Sequence, residues 1–440
     1  MAADLTACAV KRGAEDCLAA ITPQARLYRW LAGRTDVLVL RPGEHATEQE
    51  NGDIDLLAAD AAALEAELDR LLGTPDLRVA RSYVIQRYYA WGQLDVLPVL
   101  EWNGIPYADC GAVFAAAERD ASGVLRPRLG HDGYISWMTS LLWGGFFKDR
   151  YAALIHRAAS EDGAVFLESL QRAFGRAWAA VLLDWAGDGS ATQSAEHAGA
   201  LRRALAVRAL ARDPGSTVHG ALAHWRRELG FHLRPPMPMI AMLGPDGAGK
   251  STVIEALTER LAARRIVVVY CHWRPRVVGR GAEPGGGPVS DPHGKPPRGR
   301  LASVLKLVLL AADWHVGGLW KLRHARAKAK LVLFDRYYDD LLIDPRRYRY
   351  GGSAAGAGRV FRWLPRMDRV FVLWAPAAVI AKRKQEVAEE ELARQLEAYR
   401  THALGLGARG HLIPVDRSVE AIVDEVAESL FAIIRQHGND

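Results

Sequence analysis

The 440-residue sequence predicts an α/β chain whose C-terminal part builds a parallel sheet, preceded by a smaller α+β region and a helical stretch. Three observations carry that prediction. Beyond residue 236, apolar runs of strand length alternate with helical periodicity, as in a parallel sheet covered by helices. Near the N-terminus, Val37-Leu-Val-Leu40 and Ile54-Asp-Leu-Leu57 are strand-like runs followed by Leu64, Leu68 and Leu71 at helical spacing. Between them, from Tyr134 to Leu229, long Ala- and Leu-rich stretches read as helices. The expected regions are 1–127, 128–235 and 236–440.

In the first region a helix is predicted over Asp60–Leu72, with strands over Ser82–Tyr89 and Gln93–Leu100, and Gly104-Ile-Pro ends the run. In the second, Gly163, Gly187-Asp-Gly189 and Pro214-Gly215 are the natural breaks between helices. Its Trp137, Trp143, Trp178 and Trp185 read as core. The proline-rich Phe231–Pro238 separates it from the third region. There, Pro238–Leu243 and Ile266–Tyr270 are predicted strands, and Arg276–Arg300 is an aperiodic stretch of Gly, Pro and basic residues. Leu301–Trp320 comes closest to a membrane span, but Lys306, Asp313 and His315 interrupt it, so a buried or pocket-lining helix is expected and no transmembrane segment.

A formal charge of +6 suits anionic small molecules, and without a basic stripe interleaved with aromatics it gives no case for nucleic acid. The four cysteines, Cys8, Cys17, Cys110 and Cys271, make no CxxC pair and no zinc spacing. Scattered thiols and an N-terminus without a basic, then apolar, leader point to a cytoplasmic protein.

The most specific motif is Gly244-Pro-Asp-Gly-Ala-Gly-Lys-Ser251, which follows the strand Pro238–Leu243 and opens a helix over Thr252–Ala263. Gly244, Gly247 and Gly249 let the backbone turn its N–H groups toward phosphate oxygens, and the helix N-terminus adds its partial positive charge. Ala248 lies between two of these glycines. Lys250 can reach β- and γ-phosphates and Ser251 can ligate Mg²⁺, with Thr252 starting the helix beside them. Asp246 would repel a triphosphate, so its carboxylate is expected to face away from it, toward whatever accepts the phosphate. A carboxylate ending a neighbouring parallel strand is where Mg²⁺ is best held, and Asp335 stands after the apolar run Lys330–Leu333, followed by Arg336.

These residues resemble the thymidylate kinase family. The loop Gly244–Thr252 is similar to that family's phosphate loop, acidic residue included, and Phe334-Asp-Arg-Tyr-Tyr338 to its Asp-Arg-Tyr motif. The strand Arg369–Trp374, a basic helix with Lys382-Arg-Lys384, and His411–Asp416 follow in the family's order. The resemblance implies a P-loop kinase fold, ATP and Mg²⁺ as cofactors, and catalytic roles for Lys250, Asp335 and Arg336. It also implies a lid, with Arg383 on the same helical face as Glu386, Glu390 and Arg394. On the acceptor side the chain departs from the family, reading Cys271-His-Trp-Arg-Pro275 where an Arg-Glu-Pro segment would stand, and carrying the basic stretch Asp344–Gly352. Its layout resembles bacterial fusion proteins of surface-polysaccharide functions, which implies a sugar or glycan acceptor beside the nucleoside monophosphate alternative. The implied partner is a small phosphate acceptor, and a homodimer stays open.

Gly52-Asp-Ile-Asp-Leu-Leu57 resembles a strand of the nucleotidyltransferase superfamily. Asp53 and Asp55, two apart on a strand, point to one face and suit Mg²⁺ with a triphosphate, and Asp95 could add a third carboxylate. Leu40-Arg-Pro-Gly-Glu44 stands where that superfamily carries Gly-Ser. The alternatives to a kinase are therefore nucleotidyl transfer by Asp53, Asp55 and Asp95, or a regulatory module that binds ATP without transferring phosphate.

Overall fold

The computed structural model describes residues 22–40, 53–277, 296–381 and 389–439. It is mixed α/β and divides into two compact units, Met1–Arg227 and Glu228–Asp440.

In the first unit, helix α1 (Pro23–Leu31) begins on Thr22, whose hydroxyl accepts from the Ala25 N–H. Strands β1 (Val37–Leu40), β2 (Ile54–Ala58), β3 (Leu77–Ala80), β4 (Ile85–Tyr89) and β5 (Gly92–Leu97) form a sheet of order β1-β2-β5-β4-β3. All its pairs are antiparallel except β2–β5, which run parallel with Asp55 opposite Asp95. Helix α2 (Ala61–Leu72) is capped by Asp60, which accepts from the N–H groups of Ala62 and Ala63, and ends at Gly73. The strand alternation sorts the sheet's two faces. Val37, Val39, Ile54, Leu56, Leu94 and Val96 pack with Leu27 and Leu31 of α1 and Leu64 and Leu68 of α2. Leu38, Leu57 and Leu97 pack instead with the helices that follow.

The longer of those helices are α3 (Leu129–Thr139), α4 (Ala152–Glu161), α5 (Gly163–Phe174), α6 (Arg176–Gly187) and α7 (Ala198–Arg212), and α8 (Pro214–Leu233) follows them in sequence. The sequence breaks at Gly163, Gly187 and Pro214 fall at helix ends, and Gly175, at φ +84°, supplies one more between α5 and α6. Trp137 is fully buried against Phe166 and donates from its indole to the Ser194 hydroxyl. Trp143 is half-buried on Tyr83, with ring centroids 4.0 Å apart.

In the second unit, β6 (Met239–Leu243), β7 (Val268–His272), β8 (Leu331–Asp335), β9 (Arg369–Trp374) and β10 (Gly410–Pro414) make a fully parallel sheet of order β7-β8-β6-β9-β10. Near-continuous burial of β6, β8 and β9 is what a sheet covered on both faces requires. The longer helices are α9 (Lys250–Ala263), α10 (Arg300–Val316), α11 (Ala354–Phe361), α12 (Glu389–Gly405) and α13 (Val419–Asn439). Met239, Ala241 and Leu243 share a core with Leu307, Leu310 and Trp314 of α10, Phe361 of α11 and Tyr399 of α12. α9 packs along α13.

Two expectations for Leu301–Trp320 are corrected. The helix is neither buried nor lining a pocket along its outer side, where Leu301 is 88% and Trp320 73% exposed. Nor is it too short or too polar for a span: it continues to Ala327, and its 28 residues meet that test of length and composition, which a soluble protein's core helix can also meet. Lys306 and Asp313 do not interrupt the outer side because both turn inward, Asp313 to complete burial.

Candidate functional site

The site gathers at the C-terminal edge of the parallel sheet, where β6 and β8 lie side by side with Met242 opposite Asp335. The chain leaves β6 through Gly244, whose φ of +143° and close approach to Leu373 leave no room for a side chain: an added Cβ would lie 2.7 Å from the Leu373 carbonyl oxygen. Gly249, at φ +87°, turns the loop into α9. The Lys250 ammonium is buried and donates to the carbonyls of Gly244 and Pro245, both at 2.8 Å. Burial, reinforced by the nearby Arg336 charge, lowers its pKa to about 7. Ala248 is buried, whereas Ser251 and Thr252 are exposed on the first turn of α9.

Asp335 ends β8. Its Oδ2 accepts from the Tyr270 hydroxyl at 3.1 Å and lies 3.3 Å from His272 Nδ1, both on β7. Its Oδ1 is buried without a hydrogen-bond partner. Burial alone would raise this carboxyl's pKa, but the His272 hydrogen bond and the charges of Lys250 and Arg336 outweigh it and hold the group below the usual carboxylate range. Among the described residues no three His, Cys, Asp or Glu side chains gather to hold a metal ion. A cation here would therefore draw on Asp335, the Ser251 hydroxyl and oxygens of a bound ligand, the sparse protein ligation that Mg²⁺ tolerates.

Arg336 follows in a left-handed backbone conformation, φ +69°, with its N–H bonded to the Met242 carbonyl at 3.1 Å. Its buried guanidinium forks between Asp340, at 2.6 Å, and Asp246. Arg347 takes the other Asp246 oxygen. Burial would raise the Asp246 pKa, but Arg336, Lys250 and Arg347 push it far below the usual range. Asp340 also accepts from the hydroxyls of Tyr348, at 3.3 Å, and Tyr399, at 2.9 Å. Tyr348 stacks on Trp273 with centroids 4.4 Å apart.

The structure thus brings Asp246, Lys250, Asp335 and Arg336 together and turns Asp246 toward Arg336 and Arg347. Arg383, Lys382, Lys384 and Glu386 lie outside the described residues, as do 278–295 of the Gly/Pro-rich stretch. Arg394, the other basic residue of the expected lid face, pairs with Glu391 and donates to the Ile343 carbonyl at 3.3 Å. Asp340, Tyr348, Tyr399, His272 and Tyr270 went unread in the sequence. Asp340 alone left a signal, standing one helical turn after Arg336.

The first unit holds a separate cleft of about 230 Å³, lined by Asp55, Asp95, Glu101, Tyr107, Thr139 and Trp143 among others. Burial and the facing Asp55 raise the Asp95 pKa to about 7, against a 2.7 Å hydrogen bond from Gln93. Asp53 is exposed at the entry to β2. Residues 41–52, which precede that strand in sequence, lie outside the described residues. No protein-family model and no curated protein matches the chain.

Proposed function

We propose that the second unit is a Mg²⁺-ATP-dependent phosphotransferase of the P-loop kinase type, passing the γ-phosphate to a small acceptor. The observation that carries this reading is the meeting of a glycine loop, a buried lysine and the bare Oδ1 of Asp335 at one sheet edge. Backbone N–H groups from Gly247 to Ser251 would cradle the phosphates, and Lys250 would exchange its two carbonyls for their oxygens. Bound through Asp335 and Ser251, Mg²⁺ would neutralise phosphate charge. Arg336, already oriented by Asp340, would contact the transferring group. Asp246 holds Arg336 and Arg347 within reach of Lys250, whose ammonium is 3.9 Å from the same carboxylate, and this basic cluster suits an anionic or hydroxyl-rich acceptor. The acceptor belongs to the nucleoside monophosphates or the sugar and glycan precursors.

Incubation with ATP labelled at the γ-position and a panel of both acceptor classes tests the reading. Label should appear on one acceptor, and Lys250→Ala should lower turnover by about a hundredfold or more while the protein stays folded. Wild-type turnover in that variant would defeat the assignment. A second reading, nucleotidyl transfer in the first unit, is favoured by the Asp55–Asp95 pair in its cleft. It would place label from the α-position, not the γ-position, on the product.

A further inference from the structure

Helix α10 and its continuation to Ala327 present an outer side that a water-facing helix does not have. Leu301, Val304, Leu305, Val308 and Leu309 are each more than half exposed and recur every three or four residues along one face, and Val316 and Leu319 are exposed further on. The inner face is committed elsewhere: Ser303, Leu307, Leu310 and Trp314 are buried in the core of the second unit. Polar groups that could break the outer face are drawn inward. Lys306 donates to the Tyr348 carbonyl, and Asp313 accepts from the backbone N–H groups of Arg276 and Val277, at 3.1 and 2.6 Å. From Leu301 to Trp320 the outward face therefore carries no Lys, Arg, Asp or Glu, with His315 half-buried, whereas soluble monomers seldom expose contiguous apolar patches of this extent.

Charge returns at both ends with one sign. Arg298 and Arg300 are exposed before the apolar run, and Trp320 and Arg323 follow it, with Lys321 between them donating to the Pro275 carbonyl at 2.9 Å. Asp313 is the sole acid in the helix, and it is fully buried. An apolar face ending in basic residues and an exposed indole matches the boundary between acyl chains and anionic headgroups. It matches a second copy poorly, since antiparallel pairing of this face about a twofold axis would set Arg300 against Arg323 of the other chain. It also argues against spanning: only 33% of the apolar window is buried, yet that share is the inner face whose hydrogen bonds and core contacts a span would strip away.

We propose that the outer face of α10 docks on an anionic lipid surface, the helix lying in the headgroup plane with Arg298, Arg300 and Arg323 among the phosphates. The opposite, inner face of the same helix holds Tyr348, the neighbour of Arg347, and so meets the carboxylate–arginine cluster. Docking is independent of the phosphotransfer reading and is measured without turnover.

The test floats the full-length protein with vesicles of phosphatidylcholine alone and with vesicles half phosphatidylglycerol. Wild type should float with the mixed vesicles, less with the neutral ones, and less again as salt rises. Leu305→Glu with Leu309→Glu should reduce the floated fraction about tenfold or more. Val308→Ser with Leu301→Ser, milder changes at exposed positions, should reduce it in the same direction, and unchanged melting curves would exclude unfolding. The proposal is overturned if wild type stays in the dense fraction, or if the double Glu variant floats as well as wild type. It is also overturned if light scattering finds a dimer that the Glu variant converts to monomer without any vesicle binding by either, because a second copy then covers the face.

Discussion

Arg336 keeps a left-handed backbone, φ +69°, that costs a non-glycine residue of order 1–3 kcal/mol. The two carboxylates that fork its guanidinium over-determine that conformation. Strain thus sits where the side chain must be aimed. The adjoining loop is equally intolerant at Gly244, where Ala would meet the Leu373 carbonyl and demand a φ it rarely adopts. Gly244→Ala should therefore lose about 1–3 kcal/mol of stability and shift β9 against the loop, read as a lower melting temperature and weaker nucleotide binding. An unchanged melting curve would mean that the loop relaxes freely. From the sequence, Asp246 is expected to turn away from phosphates; its carboxylate takes Arg336 and Arg347 and also lies 3.9 Å from the Lys250 ammonium. Its partner Arg347 was visible only as part of a basic stretch 101 residues away. Nothing periodic ties the two positions together, so only the folded chain reveals the pair.

Elements were easiest to read where their burial was uniform. β1 and β9 fall on the residues expected, because each is a short apolar run bounded by polar residues. The strand expected from Ser82 begins instead at Ile85, since Arg81 N–H bonds the Val84 carbonyl at 2.8 Å and bends the chain first. β3 escaped notice: four residues, Leu77-Arg-Val-Ala80, are too few to display their alternation convincingly. α10 misled for another reason, since apolar composition cannot say which half of a helix finds a core. α13 carries a testable pH dependence. His437 Nε2 lies 3.6 Å from Asp368 Oδ1, and this partner raises the imidazole pKa above 6.5 despite burial and the Arg326 charge. A raised value means that the contribution to stability is complete below 6.5 and is lost as pH climbs through the folded-state pKa. His437→Gln should lower the melting temperature at mildly acidic pH and leave it unchanged well above neutrality. Equal losses at both pH values would assign the effect to packing.

At the scale of the molecule, each unit holds carboxylates that one of the two proposed reactions would use. Asp53→Asn with Asp55→Asn removes the like-face pair of the first unit while leaving every contact of the Gly244–Ser251 loop in place. If phosphotransfer belongs to the second unit, turnover should stay within about tenfold, or roughly 1.4 kcal/mol in barrier height. Asp335→Asn should cost far more, because it removes the charge beside the loop. The reverse ranking, at matched folding, would hand the reaction to the first unit. The sheet order has a further consequence for how the chain acquires this site. β6 is the first strand of its sheet in sequence but the middle one in space, and its neighbours β8 and β9 span residues 331–374. A growing chain therefore carries the finished loop sequence long before any strand can flank it, and such long-range parallel pairing is slow to close. The first unit is complete in sequence by then, so during synthesis the two units would mature in succession, the glycine loop among the last parts to take shape.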